Sequence, residues 1–551
     1  MKCCPHPNAE NPPRPDFVRA TPLRRGYRVA KRIPASAGWL PDDSRQTGRS
    51  AAAVGQSIRS SQRLNLKNKM KLKFFILTIA AASLTACNDA FLNTVPKTTV
   101  AQDATYSSPS QVVAQVNNLY GQLQSATFYG GRYVIFNEQR GDEFGQNDGN
   151  AATGSAVWNQ NVASTNEFIN NVWGAAYTAI NAANVLIDRL NGTTVVSVAD
   201  AKLYVAEAKF VRALSYLALV QTYAKPYNMD KNALGVPLRL KAITAEGNND
   251  LARSSVAEIY AQIIKDLNEA EADLPASYST ALLNTARAKK ATAIALKTRV
   301  YLQQNEFQKV AEEAAKLMPK TAPFQYVAGS LTHRLETNIA TVFGGSYTGA
   351  EAIFSIPFAN TTTETPPTQS SLAFTYVSQP ILPLATAGIS ADPALNNAAD
   401  ARAGLIGTNA ARQRVLRKFA ITTAPFRDYV PVIRYAEVML NYAEAAAQTN
   451  DLTTAAALLK VVRNRSNPSH VFAETELNSK TALLNLILNE RRIELLGEGF
   501  RLADLQRRGL TLPAKTGSIG TAPLVLATSG NYIWPIPSGE ISVNKLMVAN
   551  P

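Results

Sequence analysis

Two stretches of the chain, TRVYLQQNEFQKV (298–310) and AEAAAQTNDLTTA (443–455), carry the same pattern at a displacement of 145 residues. In each stretch a small residue is followed seven positions later by an asparagine, and an apolar residue stands two positions beyond the asparagine. The small residue lets two helices approach closely, the asparagine turns the chain, and the apolar residue closes the hairpin. Each stretch therefore predicts a helix, a turn and a second helix. The matching positions are Thr298 and Ala443, Tyr301 and Ala446, Asn305 and Asn450, Phe307 and Leu452, and Val310 and Ala455.

Helical periodicity also marks much of the remaining chain, whereas alternating strand patterns are few and short. Ser255 and Glu258 form a capping box ahead of an amphipathic helix that Pro275 ends. The hairpin spacing is similar to that of tetratricopeptide repeats, but the displacement is not a multiple of their period of about 34 residues, which argues against a regular solenoid. We predict an all-α fold of tetratricopeptide-like helical hairpins, an α-α superhelix, with long loop insertions and little β structure. The candidate strands are YVIF (133–136) and EAIFSIPF (351–358).

Two long insertions interrupt the helical pattern, at 125–162 and 322–430, and both are rich in Gly, Thr, Asn, Pro and aromatic residues. Functional residues often lie on such segments, and aromatic faces surrounded by amides and carboxylates suit sugars and other neutral ligands. The first insertion supplies the candidate ligand-binding residues Tyr129, Tyr133, Phe136, Asn137, Glu138, Asp142, Phe144, Trp158 and Asn159. The second supplies candidate walls of the site, Tyr347, Phe374 and Tyr376. Core packing is an equal alternative for each aromatic residue taken singly, and it is the prediction for Trp173 and Trp534.

The segment MKLKFFILTIAAASLTAC (70–87) has two lysines ahead of an apolar stretch that ends near a cysteine. The stretch is too short to span a hydrocarbon core of about 30 Å, and it predicts a secretory signal peptide at 70–86. The residues LTAC (84–87) resemble the lipobox of bacterial lipoproteins, in which the cysteine thiol carries a diacylglycerol. Cys87 is therefore the predicted site of lipidation and the membrane anchor. A signal-anchor, or an ordinary signal peptide beside an unrelated cysteine, is the alternative.

Residues 1–69 stand ahead of a signal that is normally read at an N-terminus. We expect either that Met70 is the true start or that 1–69 is a disordered leader. This part has fourteen Lys and Arg against four Asp and Glu, so it carries ten of the fifteen net positive charges of the chain. The excess of Lys and Arg over Asp and Glu does not indicate binding to nucleic acid, because little of this positive charge remains in the mature protein.

Histidine and cysteine are scarce after residue 86, where the sequence has only Cys87, His333 and His470. Metal sites built from histidine and cysteine, and Cys/His nucleophile pairs, are therefore excluded from this part of the chain. It has no second cysteine for a disulfide, so stability must come from packing. The sequence predicts no metal, no cofactor and no catalytic residue.

Glu490, Glu494 and Glu498 follow one another at a spacing of four, with several arginines nearby in sequence. Spaced carboxylates can serve in acid–base catalysis. On one helix among arginines they more often form a structural ion-pair network, and that is our prediction. The helix predicted over 432–446 has a polar face that we expect to meet water or a charged neighbour, made of Arg434, Glu437, Asn441 and Glu444.

The segment DEFGQNDGN (142–150) clusters carboxylate and amide oxygens of the kind that bind calcium. It lacks the twelve-residue spacing of an EF-hand and the glutamate that closes one. We therefore interpret it as a solvated turn.

Seven motifs, in order behind the lipobox, resemble those of the SusD/RagB-type outer-membrane lipoproteins of Bacteroidetes. The segment 489–509 departs from the family pattern, because Gly497 and Phe500 replace an aromatic residue and a histidine, and Leu502 replaces a tryptophan. The resemblance therefore implies a divergent member whose ligand cannot be copied from others. The motifs are AFLNTVPKTTV (90–100), VWGAAYTAINAANVLIDRL (172–190), AEAKFVRALSYLALVQTYAKPY (206–227), ARSSVAEIYAQIIKDLNEAEADLP (252–275), VIRYAEVMLNYAEAAAQTND (432–451), NERRIELLGEGFRLADLQRRG (489–509) and YIWPIPSGEISVNKLMVANP (532–551).

The resemblance implies an N-terminal SusD-like region at 87–250, a C-terminal RagB/SusD-like region at 251–551, and a role without catalysis. Such proteins are surface-exposed, lipid-anchored lids that close over a SusC-like TonB-dependent channel with a nutrient between them. The implied ligand is an oligosaccharide, with a peptide as the alternative, and nucleic acid is not expected. Two other classes stay open: a membrane-tethered glycosidase with two carboxylates in a cleft, and a tetratricopeptide-like scaffold that binds proteins.

Overall fold

A computed structural model describes residues 102–245, 247–359 and 365–550. The predictions for the leader 1–69, the signal peptide 70–86 and the lipidated Cys87 lie outside these residues. The division at residue 250 into two regions stays a prediction. Within the described part of the chain, no helix is both long and apolar enough to cross a bilayer.

Helices predominate, and about half of the described residues are helical. The helices are α1 (Pro109–Gln124), α2 (Arg132–Arg140), α3 (Ser155–Trp158), α4 (Glu167–Leu190), α5 (Val198–Tyr223), α6 (Val256–Asp273), α7 (Ala281–Ala286), α8 (Lys290–Gln303), α9 (Phe307–Ala315), α10 (Ala340–Phe343), α11 (Tyr435–Gln448), α12 (Leu452–Ser466), α13 (Glu474–Leu477), α14 (Lys480–Glu494), α15 (Arg501–Gln506) and α16 (Ser538–Val543). The strands form antiparallel pairs: β1 (Leu234–Pro237) with β2 (Arg253–Ser255), β3 (Tyr326–Ala328) with β4 (Leu331–His333), β5 (Ala352–Ile356) with β8 (Val430–Arg434), β6 (Ile406–Thr408) with β7 (Arg414–Leu416), and β9 (Lys515–Gly517) with β10 (Gly520–Ala522).

The two predicted hairpins are α8–α9 and α11–α12. Asn305 and Asn450 stand between the helices of each pair, and both adopt the left-handed backbone conformation, with φ of 55° and 69°. Asparagine is among the few residues other than glycine that tolerate this conformation. Both α8 and α9 pack against α11, and Leu302, Val310 and Ala445 form an apolar cluster between the hairpins. The predicted fold of tetratricopeptide-like hairpins is confirmed.

Helix α6 begins and ends at the predicted signals. The Ser255 hydroxyl accepts a hydrogen bond from the Glu258 backbone N–H at 3.2 Å, and the Glu258 carboxylate accepts one from the Ser255 N–H at 2.7 Å. These two bonds satisfy amides that a helix N-terminus otherwise leaves unpaired. The core centres on α5, which packs against α4 and α6 and is buried along most of its length from Ala206 to Tyr223.

The two candidate strands behave differently. The strand predicted within 351–358 is confirmed, since residues 352–356 form β5. Its partner is β8. Segment 133–136 lies inside α2, so the strand expected there is wrong; a short apolar run has no periodicity that distinguishes a helix from a strand. Residues 432–434 were expected to be helical but belong to β8, and the helix begins at Tyr435.

The two insertions pack together rather than extending as separate loops. The Gly145 N–H donates to the Pro383 carbonyl oxygen at 2.8 Å, and the Asn147 N–H donates to that of Ile381 at 2.9 Å. The Ala385 N–H donates back to the Glu143 carbonyl oxygen at 2.8 Å. This ladder joins the end of α2 to a segment more than 200 residues later, so that both insertions contribute to one surface.

Candidate functional site

Three aromatic residues of the predicted ligand site lie in the core. Phe144 and Trp158 are fully buried, and Phe136 is buried against Trp534 with the ring centroids 5.7 Å apart. The Trp158 indole N–H donates to the Phe144 carbonyl oxygen at 2.9 Å. Protein atoms therefore surround these rings, and in this structure they stabilise the core instead of offering a platform for a ligand. Trp173 and Trp534 are buried, as predicted.

Tyr129, Tyr133 and Asn137 border a small internal cavity together with Arg299 and Phe500. The two tyrosine rings meet edge to face, with centroids 4.9 Å apart. The cavity measures about 40 Å³, which is enough for a few water molecules but not for a sugar ring. Ligand contact by these three predicted residues stays a prediction.

Glu138 is buried beneath the same region, with 1 % of its surface exposed. One of its carboxyl oxygens accepts a hydrogen bond from the Gly499 N–H at 2.6 Å, and the other has no partner among the described residues. Burial raises the pKa of Glu138 to about 8, against the lowering effect of the Gly499 N–H. A neutral carboxyl at this depth indicates a structural group rather than a ligand contact.

The segment 142–150 divides into a buried part and an exposed part. Asp142 accepts two hydrogen bonds from Arg501, at 2.6 and 3.0 Å, and Glu143 pairs with Arg492. Burial would raise the pKa of Asp142, but the Arg501 guanidinium holds it below its usual range. The interpretation of this segment as a solvated turn is therefore wrong for Asp142 and Glu143. It is right for Asp148 and Asn150, which are exposed. The described residues contain no cluster of three or more His, Cys, Asp or Glu arranged to hold a metal ion.

Asn159, the last of the predicted ligand residues, caps the end of α3. Its backbone N–H donates to carbonyl oxygens of that short helix. The residue is half-buried, and its contact with a ligand stays a prediction.

A cluster of polar side chains lies at the surface where the insertion ladder ends. Asn147 and Gln413 donate to each other's side-chain oxygens, both at 2.7 Å. The Ser518 hydroxyl donates to the Asn147 side-chain oxygen at 2.6 Å. We call these three residues the amide face. Asn147 and Gln413 are half-buried and Ser518 is exposed, so hydrogen-bonding groups from three distant segments meet at the surface.

The amide face was missed by sequence reasoning as a ligand site. Asn147 was noted only as a candidate calcium ligand, and Gln413 and Ser518 belong to the β6–β7 and β9–β10 hairpins. Polar residues in short turns are common, and their approach depends on pairing between segments hundreds of residues apart. The sequence carries no local signal for that pairing.

The candidate walls of the second insertion have separate environments. Tyr376 is fully buried, and Phe374 packs on Phe426 with ring centroids 5.8 Å apart. Tyr347 stacks on Tyr429 with centroids 5.0 Å apart and the ring planes 17° from parallel. Both rings of this stack are half-buried, and Tyr347 donates through its hydroxyl to Asp428 at 2.7 Å. Of the predicted walls, the Tyr347 ring is held at the surface of the insertion.

The three spaced glutamates form the predicted ion-pair network, but with partners from distant segments. Arg434 donates to both oxygens of Glu498 at 2.7 and 2.8 Å and also pairs with Glu351 and Glu494. Every side chain of the network is nearly inaccessible to solvent, and its cations hold the pKa of Glu494 well below the usual range against the effect of burial. Such satisfied carboxylates are poorly suited to accept or deliver a proton at neutral pH. The other cations of the network are Arg402, Lys418, Arg463 and Arg465.

The polar face of α11 meets charged neighbours rather than water. Glu437 accepts two hydrogen bonds from Arg299, both at 2.6 Å. Asn441 accepts one from Arg491 at 2.6 Å. The third polar residue, Glu444, pairs with Arg507. All of these side chains are buried, so the helix has no solvent-facing polar side at these positions.

Comparison with known proteins supports the family resemblance across the chain. Residues 412–551 match a family model described as the SusD family, and residues 90–302 match one described as starch-binding associating with outer membrane. A SusD superfamily protein from Bacteroides fragilis has a similar crystal structure, with a TM-score of 0.72 and 33 % identity over 80 % of this chain and 99 % of that one.

Two further relatives differ more in sequence. SusD-like protein P2 of Formosa agariphila is 25 % identical over 88 % of this chain and 99 % of its own. A laminarin-binding SusD-like protein shares the fold, with a TM-score of 0.63 and 22 % identity over 81 % of this chain and 100 % of its own. Since a third of the residues are identical to a SusD superfamily protein matched over nearly its whole length, and the hairpin fold is the same, this chain belongs to the SusD/RagB family.

Proposed function

We propose that this protein is a lipid-anchored glycan-binding protein of the cell surface and serves as the lid of a TonB-dependent outer-membrane importer. Membership of the SusD/RagB family is the observation that carries the proposal. One matching family model is described as starch-binding, and a relative of the same fold is named as laminarin-binding, which supports a glycan over a peptide. The chain binds its ligand without breaking a bond in it.

The amide face is the part of the insertion surface that we assign to ligand binding. In this structure the side chains of Asn147 and Gln413 bond to each other, to Ser518, to Asn409 and to the Pro380 carbonyl oxygen, so a sugar would bind by replacing some of these bonds. Each amide carries both a donor and an acceptor, and the Ser518 hydroxyl can act as either. Adjacent hydroxyl groups of a sugar need that mixture. The surface is also pre-formed, because the ladder between 143–147 and 381–385 holds Asn147 in place. A pre-formed site loses less conformational entropy when it binds a ligand.

The N-terminal signal and the family support the anchor and the channel of this proposal. Cys87, after cleavage of 70–86, carries the lipid that holds the protein on the outer membrane. The channel is a SusC-like β-barrel, and the nutrient is trapped between it and this chain. Membrane attachment keeps the two proteins at a high local concentration, which favours repeated closure.

Calorimetry on the chain from residue 87 onward tests the ligand. We expect heat from maltoheptaose or laminarihexaose and none from a peptide panel of matched length. Asn147→Ala and Gln413→Ala should weaken binding at least tenfold. Gln308→Ala, at an exposed glutamine of α9, is the matched control and should bind normally. Heat from peptides alone would overturn the glycan assignment, and products formed from either sugar would favour a glycosidase.

Affinity purification from membranes tests the partner. The tagged full-length protein should co-purify with a large β-barrel protein, and the Cys87→Ser variant should recover less of it. Recovery without any barrel would contradict the role as a lid. Recovery of soluble proteins instead would favour the scaffold alternative.

A further inference from the structure

A cleft of about 400 Å³ lies along the outer side of α4, well away in sequence from the amide face. Its walls come from α4, from Arg239, Ile243 and Asn249, and from Glu540 of α16. It is about ten times larger than the cavity beside Tyr129 and falls within the range of about 300–1,000 Å³ that is usual for small-molecule sites. The cleft and the amide face have no residue in common.

Two aromatic rings form one wall of this α4 cleft. Trp173 and Tyr177 are one helical turn apart, with ring centroids separated by 4.9 Å and planes inclined by 50°. Trp173 is buried, and Tyr177 is half-buried with its hydroxyl donating to the Pro237 carbonyl oxygen at 2.8 Å. That bond fixes the Tyr177 ring, so the wall is rigid before any ligand arrives.

A glycine between the two rings leaves the cleft open. Gly174 lies in the interior of α4, where glycine is less favourable than alanine. No backbone or packing requirement explains it, since a Cβ atom at Gly174 would meet no other atom within 4 Å. A larger side chain there would occupy the space that the cleft offers to a ligand.

Beside the aromatic wall the cleft is lined by a guanidinium and a carboxylate. Arg239 and Glu540 approach to 3.4 Å, with 17 % and 15 % of their side chains exposed. The Trp173 indole N–H donates to Glu540 at 3.3 Å. The buried pair of Arg507 and Glu444 is shorter, at 2.6 Å. Charge-assisted hydrogen bonds are normally about 2.7–2.9 Å long, so the contact between Arg239 and Glu540 is a long one. Arg239 also donates to the Asn249 carbonyl oxygen at 2.7 Å, and Glu540 also accepts from the Asn544 amide at 2.8 Å. The remaining N–H groups of Arg239, and the Glu540 oxygen whose only bond is the long one from Trp173, can bind a further polar partner.

We infer that the α4 cleft is a second binding site, which takes one pyranose ring of a carbohydrate. The apolar face of the ring packs on Tyr177, its hydroxyls donate to Glu540, and Arg239 donates to a ring or hydroxyl oxygen. A sugar is the neutral ligand that combines an apolar face with a rim of hydroxyls, which is the chemistry of these walls. The ligand class rests on the proposed glycan function, whereas the cleft itself does not.

Substitution of two helical glycines tests the site. Gly174→Phe fills the cleft from α4. Gly121→Phe is the matched control, because Gly121 of α1 is also exposed and its Cβ atom would also meet nothing within 4 Å. Full-length protein in detergent is titrated with maltoheptaose and laminarihexaose by calorimetry. We expect two classes of site, one weakened at least tenfold by Gly174→Phe alone and the other weakened only by Asn147→Ala with Gln413→Ala.

Each outcome separates the two assignments. Binding by Gly174→Phe that equals binding by Gly121→Phe would overturn the α4 cleft and leave the amide face intact. Failure of the unaltered protein to bind either sugar would overturn both the glycan function and the sugar assigned to the cleft. If Gly174→Phe lowers the Tm more than its control does, Glu540→Gln provides the same test. That substitution keeps the shape of the wall and removes the negative charge of the carboxylate.

Discussion

Arg507 and Glu444 form a two-bonded ion pair in the interior, with Nη1–Oε1 and Nη2–Oε2 distances of 2.6 and 2.7 Å. Their side chains are 1 % and 3 % exposed. The pair joins the segment after α15 to the middle of α11, and Asp504 accepts a further bond from Arg507 at 2.9 Å. Helix α11 is thus fixed to the C-terminal part of the chain by charge as well as by apolar packing.

Replacing one partner of this ion pair should lower the free energy of unfolding far more than replacing both partners. Arg507→Met leaves the Glu444 carboxylate buried without its cation, and we expect a loss of about 3–5 kcal/mol in the free energy of unfolding. The double variant Glu444→Leu with Arg507→Met should lose less than Arg507→Met alone. Urea denaturation measures both. Lys309→Met is the control, because it breaks an exposed ion pair with Glu306, and it should lower the free energy of unfolding by less than about 1 kcal/mol. Equal losses for Arg507→Met and Lys309→Met would contradict this expectation.

The hairpin asparagines should be replaceable by glycine but not by alanine. Alanine has a Cβ atom but no polar side chain that could stabilise the left-handed conformation. Asn305→Ala and Asn450→Ala should therefore each lower the free energy of unfolding by about 1–2 kcal/mol. Asn305→Gly and Asn450→Gly should be close to neutral, since glycine adopts this conformation freely. Chemical denaturation distinguishes the two substitutions. Equal losses for alanine and glycine would show that the side-chain amide, not the backbone conformation, matters at these turns.

Glu138 should make the stability depend on pH between about 4.5 and 8. In the unfolded chain the carboxyl ionises near 4.5, whereas burial keeps it protonated in the fold until about pH 8. The stability that the neutral carboxyl contributes to the fold is therefore fully present below pH 4.5 and is lost as the pH rises through 8. Glu138→Gln should remove this dependence and raise the Tm relative to the unaltered protein at pH 8 to 9 but not at pH 4.

A surface glutamate provides the control for that measurement. Glu312 is exposed on α9, so Glu312→Gln should leave the pH profile of the Tm unchanged. Parallel profiles for the Glu138→Gln variant and the unaltered protein from pH 4 to 9 would contradict a buried neutral carboxyl.

Lipidation should depend on a single thiol. Radiolabelled palmitate should enter the full-length protein expressed in a bacterium of the Bacteroidetes, and Cys87→Ser should abolish the label and release the protein from membranes. Cys3→Ser with Cys4→Ser is the control and should keep the label, because those cysteines precede the predicted signal peptide. Label retained in Cys87→Ser would refute the anchor.

The two hairpins and the start of α6 were predictable because their signals are local. The asparagine turns at 305 and 450 and the capping box at Ser255 depend on residues within one or two turns of helix, so the sequence alone determines them. The strand wrongly expected at 133–136 shows the limit of this reasoning, since four apolar residues fit the core equally well on a helix.

The candidate site was less predictable because long-range pairing decides which insertion residues are exposed. Phe144 and Trp158 were predicted as ligand residues because they lie in a glycine-rich insertion, but both are fully buried in the fold. The backbone ladder from 143–147 to 381–385 packs that insertion against the second one. The same pairing brings Asn147 to Gln413 and Ser518. The glutamates at 490, 494 and 498 were correctly predicted to be structural, yet their cations come from other segments and not from the arginines beside them in sequence.

The network around Arg434 has a mechanical consequence. It connects Glu351, the residue before β5, to β8 and to the end of α14, and Arg465 adds α12 to the same cluster. Elements joined by shared buried charges cannot separate one at a time without stranding an ion in the interior. This part of the chain should consequently melt in one cooperative step. A lid that contains these elements would therefore move as one rigid body and would not bend between them.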